Sequence, residues 1–141
     1  MGRNSANSQK ITMKIFTNGC FDVLHIGHVR LLKYCKSLGD TVTVGLNSDS
    51  SVRKLKGTDR PLNEEHVRKE MLESLEFVDE VIIFDEDTPY NLIKKVKPDL
   101  IVKGSDYDPK DVVGADICDV RIFEKIEGYS TTQAIKNIID R

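Results

Sequence analysis

Short apolar runs rich in β-branched residues alternate with longer helix-like segments along almost the whole chain. The apolar runs lie at Lys14–Thr17, Thr41–Leu46, Glu80–Phe84, Leu100–Val102 and Val120–Phe123. The helix-like segments lie at Val29–Ser37, Asn63–Leu75, Pro89–Val96 and Thr131–Ile139. Because strands of this kind are buried on both faces, the alternation predicts βαβ units. We expect a mainly parallel five-stranded sheet with helices on both faces and right-handed crossovers.

The length of the chain favours one domain. Its 141 residues are enough to bury a full core, and no low-complexity stretch follows the first dozen residues. We therefore expect a single Rossmann-like α/β domain over residues 13–141, preceded by a disordered tail or vector-derived remnant over residues 1–12. In such sheets, ligands bind beyond the carboxyl ends of the strands, where the strand order reverses.

Charge and cysteine content argue against several classes of protein. The chain has 21 Lys and Arg against 23 Asp and Glu, so no basic field favours nucleic acid or an anionic membrane. It contains no apolar segment long enough to span a membrane, and its polar start lacks the apolar core of a secretion signal. Its three cysteines show no metal-type spacing and leave an odd thiol if paired, which indicates a reduced compartment. We expect a cytoplasmic protein.

The tetrapeptide from His25 to His28 is the strongest chemical signal, because it follows the first predicted strand and opens the first predicted helix. A helix start offers free backbone N–H groups and the positive end of the helix dipole, both of which suit phosphate. Each imidazole can add an N–H donor, and Gly27 allows a ligand to approach the backbone closely. The pattern therefore predicts a phosphate site at this turn.

Residues Thr17 to His28 resemble the opening signature of the cytidylyltransferase-like nucleotidyltransferases. The later segments that agree with this family are Asn47–Asp49, Arg60–Asn63, Arg68, Val102–Tyr107 and Glu127–Thr132. Ser51–Gly57 and Phe84–Pro89 make the heptose 1-phosphate adenylyltransferases the nearest subfamily. The glycerol-3-phosphate cytidylyltransferases are a more distant match. Together the matching segments cover about Met13 to Ile139, although the connection after Gly114 is shorter than in the heptose enzymes.

The resemblance implies transfer of a nucleotide from a nucleoside triphosphate to a phosphorylated sugar or polyol, with release of pyrophosphate. It implies catalytic roles for His25, His28 and Lys56. The implied nucleotide-binding residues are Thr17, Asn18, Gly19, His25, Gly27, His28, Lys56, Arg68, Gly128, Ser130, Thr131 and Thr132. The implied acceptor-binding residues are Asp22, Lys103 and Asp106. No side chain is assigned to a metal, because Mg²⁺ in such sites is held mostly by phosphate oxygens and water.

Several of these residues also have a purely structural interpretation. Asp22 either orients the acceptor or holds a loop by side-chain capping. Arg68 either reaches the phosphates or pairs with Glu64 one turn away. Thr17, Asn18 and Gly19 form either a phosphate-binding turn or simply a tight turn.

Three further segments also have both a functional and a structural interpretation. Lys54 and Lys56 lie in a charged, flexible-looking segment that either closes over phosphates or is merely solvated. Ser130 suits either phosphate binding or an ordinary N-cap, and Asn63 is a second candidate N-cap. The acidic run from Asp85 to Asp87 is interpreted as a solvated turn rather than a metal site, because consecutive residues rarely converge on one ion.

The leading functional hypothesis is therefore an adenylyltransferase that uses ATP and D-glycero-D-manno-heptose 1-phosphate. The alternative within the same chemistry uses CTP and glycerol 3-phosphate. An alternative of another class is a nucleotide-binding regulatory subunit without turnover. A homodimer is expected from the resemblance and from the frequency of twofold pairs among soluble proteins.

Overall fold

The computed structural model describes residues 12–124 of the chain. Its five strands are β1 (Lys14–Gly19), β2 (Thr41–Asn47), β3 (Glu80–Phe84), β4 (Leu100–Gly104) and β5 (Asp119–Phe123). The α-helices among these residues are α1 (Ile26–Leu38), α2 (Asp49–Lys56), α3 (Glu65–Glu73) and α4 (Tyr90–Val96), and a short 3₁₀ helix spans Pro109–Asp111. The predicted helix Thr131–Ile139 and its N-cap Ser130 lie outside the described residues.

The five strands form one parallel sheet in the order β3-β2-β1-β4-β5. The chain first builds outward from β1 to β3 and then crosses back to place β4 on the other side of β1. The strand order therefore reverses between β1 and β4, where Ile15 and Phe16 pair with Leu100 and Ile101. A crevice opens at the carboxyl ends of strands at such a reversal. The predicted single-domain Rossmann-like fold is confirmed.

Two apolar clusters cover the two faces of the sheet, as the runs of apolar residues predict. One cluster includes Ile15, Val44, Val102 and Leu32 of α1. The other, on the face covered by α4, includes Phe16, Ile101 and Ile93. Successive residues of β1 thus point to opposite faces, which fixes its register against β2 and β4.

Helix α2 was not expected from the sequence. The sequence pattern predicts a flexible segment around Lys54 and Lys56, whereas Asp49–Lys56 forms a helix. The Ser48 side chain caps its first turn by accepting from the backbone N–H of Ser51. The helix ends at Gly57, where φ is +109°, a conformation that glycine adopts without strain.

The start of α3 also differs from the prediction. Glu64, not Asn63, occupies its N-cap position, and no side chain caps the helix. No helix within residues 12–124 combines the length and apolar character needed to span a membrane.

Candidate phosphate and acceptor site

The histidine pair lies at the N-terminus of α1, directly beyond the carboxyl end of β1. His25 is the N-cap residue, and its Nδ1 accepts a hydrogen bond of 3.0 Å from the backbone N–H of Gly27. His28 reaches back so that its Nδ1 accepts from the backbone N–H of His25 at 3.2 Å. The two rings stack with their centroids 3.8 Å apart. These contacts hold both rings in one orientation.

The same contacts determine the tautomer of both rings. A nitrogen that accepts a hydrogen bond carries no proton, so in each neutral imidazole the proton resides on Nε2. The donor of each neutral ring is therefore Nε2, and that of His25 is buried. Because a helix N-terminus also attracts anions, this turn has the chemistry that suits phosphate, and the contacts of His25 and His28 with phosphate stay predictions.

Phe21 supports this pair, although the sequence pattern does not indicate that role. Its side chain is buried, and its ring meets that of His28 edge-on with centroids 5.0 Å apart. The backbone of Phe21 has φ of +46°, a conformation that costs an L-residue about 1–2 kcal/mol. Gly19 lies close by, since a Cβ added there would come within 3.1 Å of the Phe21 ring. Nothing in the sequence pattern signals this strained turn.

Asp22 holds a loop, as one of its two interpretations predicts, and its contact with the acceptor stays a prediction. Its carboxylate is fully buried and accepts hydrogen bonds from the backbone N–H groups of Leu62 and Asn63 at 2.8 to 3.1 Å. Arg60 forms an ion pair with the same carboxylate at 3.1 Å. In addition, the Asn63 side chain donates to the carbonyl oxygen of Asp22. Asp22 therefore positions the segment that leads into α3.

Arg68 likewise makes structural contacts, and its contact with the nucleotide stays a prediction. Its guanidinium is buried and donates to the carbonyl oxygens of Cys20, Asn47 and Asn63 at 2.7 to 2.8 Å. It also forms an ion pair of 2.8 Å with Asp49, rather than the predicted one with Glu64. Arg68 thus ties the carboxyl ends of β1 and β2 to the starts of α2 and α3.

Lys103 crosses the point where the strand order reverses. The lysine extends from β4, and its ammonium donates to the carbonyl oxygen of Asn18 in β1 at 3.0 Å. It also lies 4.6 Å from the centroid of the Tyr107 ring. Burial lowers the pKa of Lys103 to about 8, although Asp106 acts in the opposite direction. The crevice therefore contains a cation that can lose its proton slightly above neutral pH.

A cavity of about 360 Å³ opens beside Lys103. We call it the crevice cavity. The residues that line it from the sheet and α2 are Asn18, Gly19, Cys20, Asn47, Leu55, Lys56 and Lys103. The residues that line it from loops are Asp87, Thr88, Pro89, Tyr107, Val112 and Val113. Lys56 is exposed at the end of α2, and its charge, with that of Lys103, partly offsets the rise in the Cys20 pKa that burial causes.

The structure thus gathers many of the predicted site residues around the end of β1. Asn18, Gly19, Lys56 and Lys103 line the crevice cavity, whereas Asp106 is exposed and does not line it. Thr17 is fully buried, and its hydroxyl has no hydrogen-bond partner within residues 12–124. The residues Gly128, Ser130, Thr131 and Thr132 lie outside the described range, so their roles stay predictions.

Comparison with known proteins agrees with this geometry. The family model described as cytidylyltransferase-like matches residues 16–137. This chain belongs to the cytidylyltransferase-like family. The chain is 57% identical over 125 residues to the bifunctional protein HldE of Nitratiruptor sp., covering 88% of this chain and 27% of that protein. It is also 57% identical over 135 residues to the bifunctional protein HldE of Campylobacter concisus, covering 94% of this chain and 29% of that protein.

These curated relatives are therefore more than three times as long as the aligned region. A solved structure of more similar length is that of the lipopolysaccharide core biosynthesis protein from Thermoplasma volcanium. Its TM-score is 0.70 at 30% identity, and the match covers 84% of this chain and 99% of that one.

Proposed function

We propose that this chain is a nucleotidyltransferase that joins ATP to D-glycero-D-manno-heptose 1-phosphate and releases pyrophosphate. The observation that carries the chemistry is the histidine pair at the N-terminus of α1, because the backbone engages both Nδ1 atoms and so places the donor of each neutral ring on Nε2. Donors held in this way stabilise negative charge without having to reorganise.

In the proposed reaction, an oxygen of the acceptor phosphate attacks the α-phosphorus of ATP. A new P–O bond forms, the bond between the α-phosphorus and the bridging oxygen to the β-phosphorus breaks, and pyrophosphate leaves with the electron pair. The acceptor phosphate is already anionic near neutral pH, so no general base is assigned. His28 donates to the charge that develops, His25 contacts the triphosphate, and Lys56 supplies a positive charge from the end of α2.

We propose Mg²⁺ as the cofactor of this reaction. Residues 12–124 contain no group of three or more His, Cys, Asp or Glu placed to hold a metal ion. A Mg²⁺ ion held mainly by triphosphate oxygens and water needs no such protein cage. Its chemistry would be to neutralise charge on the leaving pyrophosphate.

The choice of substrate pair rests on similarity. Proteins named HldE share 52–57% identity with most of this chain, and Ser51–Gly57 and Phe84–Pro89 agree with the heptose 1-phosphate adenylyltransferases. The name of the Thermoplasma structure, a lipopolysaccharide core biosynthesis protein, also favours a sugar phosphate over glycerol 3-phosphate. The phosphate-binding residues cannot make this distinction, because both reactions use them.

Steady-state kinetics test the assignment. We expect kcat/KM, measured by pyrophosphate release, to be higher for ATP with heptose 1-phosphate than for CTP with glycerol 3-phosphate. If the second pair is used at least as efficiently, the subfamily is wrong while the reaction class stands. If neither pair releases pyrophosphate, the chain is better explained as a regulatory nucleotide-binding subunit.

The lowered pKa of Lys103 leads to a prediction for acceptor binding. In the free protein the ammonium is charged below about pH 8 and neutral above it, because burial favours the neutral amine. The acceptor phosphate does not titrate in this range, since its second pKa is about 6. We therefore expect KM for the acceptor to rise as the pH increases from about 7 to about 9.

A comparison with ATP controls that experiment, because Lys103 is proposed to meet the acceptor. KM for ATP should change less over the same range, and Lys103→Ala should raise the acceptor KM and remove most of its pH dependence. An acceptor KM that is flat between these pH values in the unaltered protein would remove Lys103 from acceptor binding.

We propose that the catalytic domain spans residues 13–141, that residues 1–12 are not part of it, and that the chain works in the cytoplasm as a homodimer. The three cysteines, Cys20, Cys35 and Cys118, are free thiols in the structure, which supports a reducing compartment.

A further inference from the structure

The loop between β3 and α4 divides its acidic side chains between two different surfaces. Asp85 and Glu86 line a groove at the β3 edge of the sheet, on the face covered by α4. Asp87 instead lines the crevice cavity, together with its neighbour Thr88. The sequence pattern predicts one solvated turn for all three acids, whereas the tertiary structure places them on two surfaces.

Asp87 is available to bind a ligand. It is exposed, and within residues 12–124 its carboxylate has neither a hydrogen-bond partner nor an ion-pair partner. The carboxylate of Asp22, by contrast, is engaged by Arg60 and two backbone N–H groups. A carboxylate that lines a cavity without a protein partner can accept hydrogen bonds from a bound molecule.

The positively charged side chains that line the crevice cavity belong to other elements of the fold. Lys103 comes from β4 and Lys56 from the end of α2, whereas Asp87 follows β3. In the sheet order, β2 and β1 separate β3 from β4, a separation of about 14 Å at the usual strand spacing. The acidic side chain therefore lines the cavity on the β3 side, and the buried lysine lines it on the β4 side.

This distribution of charge defines the chemistry of the ligand. The lysines suit a phosphate, while Asp87 would repel one, so the β3 side is unsuited to a triphosphate. A carboxylate next to a hydroxyl group suits a ligand with neighbouring sugar hydroxyls. Sugar hydroxyls can donate to the carboxylate, and they can both donate to and accept from the hydroxyl group. The volume of about 360 Å³ is near the lower end of ligand pockets, which span about 300–1,000 Å³. A monosaccharide phosphate meets all of these conditions.

We propose that Asp87 recognises the hydroxyl groups of the acceptor sugar, with Thr88 beside it, while Lys103 holds the acceptor phosphate. This inference rests on the proposed function and extends it, because it assigns the selection of a polyhydroxylated acceptor to the loop after β3. Glycerol 3-phosphate has only two hydroxyl groups and can satisfy Asp87 less completely. Asp87 thus contributes to acceptor specificity and takes no part in bond breaking.

The test compares two neighbouring acids. Asp87→Asn keeps the size of the side chain and removes its charge, and Glu86→Gln does the same for an acid that faces the other groove. We expect Asp87→Asn to raise KM for heptose 1-phosphate by about tenfold to a hundredfold, the effect of weakening hydrogen bonds to a charged group. We expect kcat and KM for ATP to stay within about twofold, and Glu86→Gln to match the unaltered protein.

The outcomes separate this inference from the proposed function. If the unaltered protein turns over heptose 1-phosphate but Asp87→Asn keeps its KM, the inference is wrong and the proposed function stands. If Asp87→Asn raises KM for ATP as much as KM for the acceptor, or if Glu86→Gln has the same effect, Asp87 is not an acceptor-binding residue. If the unaltered protein turns over no sugar phosphate, both proposals fail. Equal thermal midpoints of the three proteins show that the folds are comparable.

Discussion

Replacing His28 with alanine is expected to lower kcat by about a hundredfold or more, the usual effect of removing one fixed donor to transition-state charge. The ring of His28 is held by His25, Phe21 and the start of α1, so its Nε2–H is already oriented before substrate binds. Single-turnover measurement of pyrophosphate release would report the chemical step directly. KM for ATP should change much less than kcat, because the lost interaction strengthens in the transition state.

His66→Ala is the matched control for this prediction. The side chain of His66 is 72% exposed, and its partner within residues 12–124 is Glu64, with 3.9 Å between Nε2 of His66 and Oε2 of Glu64. Its removal should leave kcat unchanged. Because His28 also accepts from the backbone N–H of His25, the thermal midpoint of His28→Ala must be measured alongside the rate. Near-normal turnover by a folded His28→Ala protein would remove this residue from the active site.

Replacing Arg68 with methionine is expected to lower the free energy of unfolding by about 3–5 kcal/mol, the usual cost of breaking a buried ion pair by removing one partner. Methionine fills part of the same space but leaves Asp49 and the carbonyl oxygens of Cys20, Asn47 and Asn63 without their donor. Urea unfolding followed by circular dichroism measures the loss.

Arg53→Met is the control for Arg68, since Arg53 lies on α2 with its side chain exposed. Its substitution should change the free energy of unfolding by less than about 0.5 kcal/mol. The structural assignment of Arg68 would be wrong if Arg68→Met were as stable as the unaltered protein and raised only KM for ATP. That pattern would support the contact between Arg68 and the nucleotide that the resemblance implies.

The helix boundaries show what the local sequence pattern can predict. Val29–Ser37 was predicted as a helix and lies inside α1, whose real start is set three residues earlier by the His25 cap. Helix α2 was missed because its sequence, DSSVRKLK, is mostly polar. Its existence depends on the Ser48 cap and on burial of Ser51 and Val52 against the rest of the fold. Packing of this kind outweighs intrinsic helix propensity in folded proteins.

The sheet, its parallel strands and the histidine pair can be predicted from the sequence, because they depend on residues that are close together in the chain. Apolar runs and helix-like segments are recognisable within about ten residues, and His25 and His28 contact each other within one helical turn. In contrast, it is the folded chain that separates the polar side chains that hold the structure together from those that face the cavity. Asp22 meets Leu62 over 40 residues of chain, Arg68 meets Cys20 over 48 and Lys103 meets Asn18 over 85. A carboxylate or guanidinium has the same chemistry in either role, so only its distant partners, brought close by folding, determine whether it can still bind a substrate.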